Sequence, residues 1–110
     1  MNRVALFLLL SIFSFPSFCA SWSNGTQTVK NIIWRPGYKG FYVPSITYQD
    51  INNCGDTTNL YVIDTTLSEK EIDRLYSMIL TAFTTGKKLH LWLDGCQGKY
   101  PKFTGLQINK

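Results

Sequence analysis

Apolar residues run almost unbroken from Val4 to Ile12 and recur at Phe13, Phe15 and Phe18. A short positive start of Met1, Asn2 and Arg3 precedes them, and the small pair Cys19-Ala20 follows. Charged start, greasy middle and small-residue end make the pattern of a secretory signal peptide cut after Ala20. The run is short for a bilayer span and Pro16 interrupts its end, which argues against a transmembrane anchor. Bulky Phe18 directly before Cys19 argues against a lipoprotein. From residue 21 onward the pattern changes to that of a folded domain.

Ser21 to Thr26 is polar and reads as a loose start. Thr28 to Trp34, with Val29, Ile32 and Ile33, reads as a first strand, and Pro36-Gly37 turns the chain. A second strand begins at Gly40 to Val43 and continues over Ile46 to Tyr48 past Pro44, which marks an edge, bulge or break. Asn52 to Asp56 is turn-rich. Asn59 to Asp64 alternates as a third strand, with Leu60 and Val62 on one side and Tyr61 and Ile63 on the other.

Ile72, Leu75, Tyr76, Ile79, Leu80 and Phe83 then recur at three- and four-residue intervals, which predicts one apolar face of a helix. Ser68 and Glu71 have capping-box spacing, and Gly86 suits a left-handed cap. Leu89, Leu91 and Leu93 alternate with Lys88, His90 and Trp92 as a fourth strand. Asp94-Gly95 reads as a turn, Gly98 extends the loop, and Thr104, Leu106 and Ile108 alternate through a fifth strand. One amphipathic helix cannot bury itself, so it should cover the open side of a curled sheet. The order predicts a mostly β fold with one α-helix: an OB-like five-stranded barrel, helix between strands three and four. A flat α+β sandwich is the alternative.

Composition refines this picture. Loss of residues 1–20 leaves 90 of 110 residues, enough for one small domain. It also leaves two cysteines, Cys54 and Cys96, which an oxidising compartment would pair in a disulfide. Free thiols, a bond to a partner or a metal site are the alternatives. A metal site is poorly supported, because His90 is the single histidine and the two sulfurs are far apart in sequence. The formal charge of +4 falls to +3 without Arg3. Its lysines and arginines are scattered rather than clustered, which argues against nucleic acid as a partner. Asn24-Gly25-Thr26 matches an N-glycosylation acceptor.

No nucleotide-binding loop, dinucleotide fingerprint or paired-cysteine redox motif occurs, so no cofactor is expected. Asp64 reads as a cap or turn residue and Asp94 as a turn former. His90 shares its strand face with Trp92 and reads as a surface or interface residue; as a general base it would need an orienting carboxylate and a nucleophile beside it. A non-catalytic protein is therefore expected. The aromatic residues carry more weight, being too numerous for a small core to hide. Trp34-Arg35 and Tyr38-Lys39 mix rings with donors around the Pro36-Gly37 turn. Tyr42 lies further along the same strand, and Trp92 faces opposite the leucines. Rings beside hydrogen-bond donors suit the apolar C–H faces and hydroxyl edges of a sugar, and equally suit a protein interface. Trp34, Arg35, Tyr38, Tyr42 and Trp92 are the candidate ligand-binding residues.

Several short stretches carry a family resemblance: Val62-Ile63-Asp64, Leu75 to Ala82, Gly86-Lys87-Lys88, Leu91-Trp92 and Asp94-Gly95-Cys96, with Asn53-Cys54-Gly55 upstream. Together they resemble small secreted bacterial proteins related to the binding (B) subunit of subtilase-type AB5 cytotoxins. The resemblance covers roughly Val29 to Ile108. It implies an OB-fold domain with one disulfide, a pentameric ring, recognition of sialylated glycans and an enzymatic A subunit as partner. It assigns no glycan-contact residue. The expected protein is a secreted or periplasmic glycan-binding domain that self-associates. A structural or protein-interaction module without glycan binding, serving assembly or inhibition, is the alternative.

Overall fold

The computed structural model describes residues 20–109, so the leader reading lies outside the described residues except for Ala20. The elements are β1 (Ser21–Trp22), β2 (Asn31–Arg35), β3 (Tyr38–Tyr42), β4 (Leu60–Ile63), α1 (Glu69–Thr85), β5 (Lys88–Gln97) and β6 (Tyr100–Asn109). The strands form one six-stranded sheet in the order β1-β5-β6-β4-β3-β2. All neighbours are antiparallel except β4 and β6, which run parallel across the helical crossover.

The mostly β architecture with one helix matches the expectation from the sequence, but the closed five-stranded barrel does not. The sheet is open and has six strands, and the helix follows the fourth. The added strand comes from Ser21–Trp22, read from sequence as loose. Its partner is β5, where Ser21 pairs with Leu93 and Trp22 with Trp92. Ser23 and Gln27 extend this contact by bonding the backbone of Leu91 and Leu89. The same segment then crosses to β3, where Lys30 donates to the Tyr42 carbonyl. Residues 21–35 therefore touch both ends of the strand order.

Other boundaries also moved. Residues 44–48 turn rather than extend the second strand, with Thr47 and Tyr48 both donating to the Pro44 carbonyl. Asp94-Gly95 is not a turn. Both residues lie within β5, where the register shifts between Leu93 and Cys96 and Gly95 takes φ 81°. That combination is a bulge, which bends a strand without ending it. The hairpin reverses at Gly98-Lys99 instead.

Leu89, Leu91 and Leu93 form one side of the core with Phe41, Tyr61, Ile63 and Phe103. Helix α1 seals it with Ile72, Leu75, Ile79 and Ala82. Its start is fixed by Ser68, whose hydroxyl accepts from the Glu71 amide, and its end by Gly86 at φ 68°. Tyr76 packs at the core margin, while Leu80 and Phe83, predicted on the buried face, are exposed. Gly40 allows the backbones of β3 and β4 to come together: a Cβ there would lie 1.9 Å from the Tyr61 carbonyl oxygen.

Cys54 and Cys96 form a disulfide with Cα atoms 5.6 Å apart. It ties the 50–59 loop to the bulged end of β5. Asp50 orders this loop by accepting from the Cys54 and Gly55 amides. Buried Asp56 accepts from both Thr58 donors, the Leu60 amide and the Tyr48 hydroxyl.

Candidate functional site

Three chain reversals meet at one end of the sheet: the β2–β3 turn at Pro36-Gly37, the β4–α1 connection at residues 64–68, and the β5–β6 turn at Gly98-Lys99. Gln97 joins them. Its amide nitrogen donates to the Gly37 carbonyl at 2.8 Å, and its amide oxygen accepts from the backbone and hydroxyl of Thr65. Each contact spans at least 32 residues of sequence. A single side chain thus holds loops that no local propensity would bring together.

Asp64 strengthens the same end. Oδ1 accepts from the backbone and hydroxyl of Thr66, and Oδ2 lies 2.6 Å from Lys102 Nζ. Burial alone would raise the carboxyl pKa, but the Lys102 and Thr66 hydrogen bonds outweigh it and hold Asp64 ionised to below its usual range. The turn role read from sequence is present, together with a cross-strand ion pair that sequence spacing did not reveal.

Between these loops lies a cleft of about 270 Å³. Ile63, Leu67 and Ile72 supply its apolar lining, Lys39 and Glu69 its charges, and Gly37 and Thr65 its rim. That size accommodates one small ring or side chain rather than an extended chain. Its mixed lining can hold an apolar body while directing polar groups toward a cation, a carboxylate and a hydroxyl.

The aromatic residues around this end are coupled to cations. Arg35 stacks 4.9 Å from the Tyr38 ring centre, Lys39 Nζ lies 5.6 Å from that of Trp34, and Lys99 Nζ 5.5 Å from that of Tyr100. Tyr38 and Tyr100 meet edge to face at 5.4 Å, which joins the two hairpins. Among the described residues the single ion pair is Lys102–Asp64, so Arg35, Lys39 and Lys99 rest on rings rather than on carboxylates. Trp34 is 60% exposed and lies outside the core.

Trp34 and Lys39 form one cross-strand pair and Arg35 and Tyr38 the next, so strand alternation puts Trp34 with Lys39 on the cleft side and Arg35 with Tyr38 on the opposite face of the hairpin. Tyr42 does not join them, because it ends β3 opposite Asn31 and Leu60. Trp92 is separate too. It lies on β5 against Trp22, with centroids 5.2 Å apart and planes at 71°. Sequence reading missed the joint contribution of Tyr100, Thr65 and Gln97. Only Tyr100 carried a signal, as one more surplus ring.

His90 Nδ1 lies 2.8 Å from the Asn109 side-chain nitrogen, with no nucleophile in this contact. Among the described residues there is no group of three or more candidate metal ligands, and no helix is long and apolar enough to cross a membrane. Comparison with protein-family models, curated proteins and solved structures returns no match.

Proposed function

We propose that this chain is an exported, non-catalytic glycan-binding domain that recognises its ligand at the Trp34–Lys39 hairpin and the adjoining cleft. The observation that carries the reading is exposed Trp34 backed by Lys39, which also lines the adjoining cleft. Exposed Trp34 offers a flat apolar surface, while Lys39 and Thr65 offer donors to hydroxyl or acidic groups. The geometry is fixed before binding by the Gln97 bridge, which lowers the ordering cost of recognition. The resemblance to AB5 binding subunits supports the same class of ligand, and extends the reading to a pentamer with an enzymatic A subunit.

Export to a periplasmic or extracellular space is supported by the leader pattern and the Cys54–Cys96 bond. The first strand begins at Ser21, the residue that cleavage after Ala20 would expose. A glycan array probed with the secreted protein and with Trp34→Ala tests the function. Saturable binding by the former and its loss in the latter are expected. Absence of binding to every glycan at all protein concentrations overturns the reading.

A second reading, an assembly module without glycan recognition, rests on the exposed apolar residues of α1. Leu80 is 41% and Phe83 47% exposed, one turn apart on the same helix face. Such a stripe suits contact between copies or with a partner. Light scattering of the wild type and of Leu80→Lys/Phe83→Lys tests it. An oligomer that the double substitution dissociates supports assembly through this face; a monomer throughout counts against it.

A further inference from the structure

The outward side of β1, β5 and β6 carries a second aromatic arrangement, remote in register from the hairpin site. Trp22 and Trp92 are direct partners across the β1–β5 ladder, and their rings form an open corner at 71°. Trp22 remains 47% exposed despite this contact. The corner is firmly held, because Ser23 next to it both donates its amide to the Leu91 carbonyl and accepts the Leu91 amide on its hydroxyl. On the other side of Trp92 the paired residue is Gly105. It puts no side chain beside the indole, and an added Cβ there would already touch Trp92 Cβ at 3.4 Å. The corner is thus walled by one ring, floored by the other and left open toward β6.

Hydrogen-bonding groups continue from this corner. His90 is two residues from Trp92 on the same side of β5, about 7 Å along the strand, and is paired with Gln107. The Asn109 side-chain nitrogen lies 2.8 Å from His90 Nδ1, which leaves Nε2 as the ring nitrogen outside this contact. One indole face with an imidazole nitrogen and a glutamine amide nearby matches a six-membered sugar ring: C–H bonds on one side, hydroxyls around the rim.

We propose that the Trp22–Trp92 corner is a second carbohydrate site that stacks a neutral pyranose on the indoles and hydrogen-bonds it through His90 and Gln107. It takes the ligand class assigned to the hairpin site but shares no residue with it. One domain then holds two contacts, and a branched or clustered glycan spanning both gains from the high effective concentration at the second.

The chain's three tryptophans allow both sites to be followed in one titration. The indole N–H resonances of the ¹⁵N-labelled secreted protein, assigned with Trp→Phe variants, are recorded against methyl β-galactopyranoside, methyl β-glucopyranoside and methyl α-mannopyranoside. The expected result is saturable movement of Trp22 and Trp92 with at least one of these sugars at millimolar concentration. Trp22→Phe should weaken the apparent affinity read at Trp92 about tenfold while the Trp34 resonance stays in place. Movement of Trp34 alone leaves the hairpin reading intact and overturns the corner. Movement of Trp22 and Trp92 alone supports the corner and counts against the hairpin. Shifts of Trp22 and Trp92 with protein concentration or phospholipid vesicles, but not with sugar, overturn it in favour of an interface.

Discussion

Lys102 Nζ sits 2.6 Å from the Asp64 carboxylate, joining the ends of two parallel strands separated by 38 residues in sequence. The carboxylate is nearly buried and its pKa is held below the usual value, so folding favours the ionised form. The native state therefore binds this proton less readily than the unfolded chain. Its contribution is present above about pH 4 and is lost as pH falls through the depressed folded value. Asp56 titrates in the same direction: burial raises its pKa, but donors from Thr58, Leu60 and Tyr48 prevail. Urea unfolding should show falling stability below pH 4. Asp64→Asn should lose about 2 kcal/mol at pH 7 and show a shallower acid decline.

The disulfide predicts a larger effect. It closes a loop with a sequence separation of 42 residues. Restricting the unfolded chain over that length is worth about 4 kcal/mol in the chain-entropy model. Cys54→Ser/Cys96→Ser should lower unfolding stability by that order in non-reducing buffer. Dithiothreitol should destabilise the wild type and leave the double variant unchanged.

Gly40 gives a steric prediction. Its position cannot hold a methyl group without moving the Tyr61 backbone, which lies in the most buried strand. Gly40→Ala should cost about 3 kcal/mol, whereas Gly105→Ala meets nothing closer than 3.4 Å and should cost less. Thermal unfolding of the two variants side by side checks the ordering.

Binding and stability should separate at the hairpin. Trp34 is mostly exposed, so Trp34→Ala should change stability by no more than about 0.5 kcal/mol. Its affinity for any glycan identified on an array should fall about tenfold, or roughly 1.4 kcal/mol. Gln97→Ala should act differently: it releases Gly37 and Thr65 together, and should raise loop amide exchange as well as weaken binding. Calorimetry and hydrogen exchange distinguish the two effects.

The legible parts of this chain were the local ones. Ser68, Glu71 and Gly86 mark the helix because capping is settled within a turn, and the leucines of β5 mark their strand because alternation is settled within a few residues. Leu80 and Phe83 fit the helical period as well as Ile79 does. Which part of a broad apolar stripe is covered depends on the sheet beneath it, and the helix sequence does not encode that. Asp94-Gly95 has turn chemistry, yet it serves a bulge because β6 keeps pairing beyond it. Ser21–Trp22 looks irregular until its partner, far downstream, is known. The site divides in the same way. Trp34, Arg35 and Tyr38 are neighbours across one turn, whereas Thr65, Gln97 and Tyr100 reach it only through tertiary contact.

The opening segment has a consequence for biogenesis. Ser23 closes its contact with Leu91 across 68 residues, and Ser21 and Trp22 pair in the same neighbourhood. Such distant closure is slow, because chain entropy must be surrendered before the contact rewards it. This sheet edge cannot be completed until residues 88–97 of β5 are in place to receive β1. The segment from Ser21 to Ser23 therefore has no partner until that later strand is in place, and its docking closes the sheet rather than starting it.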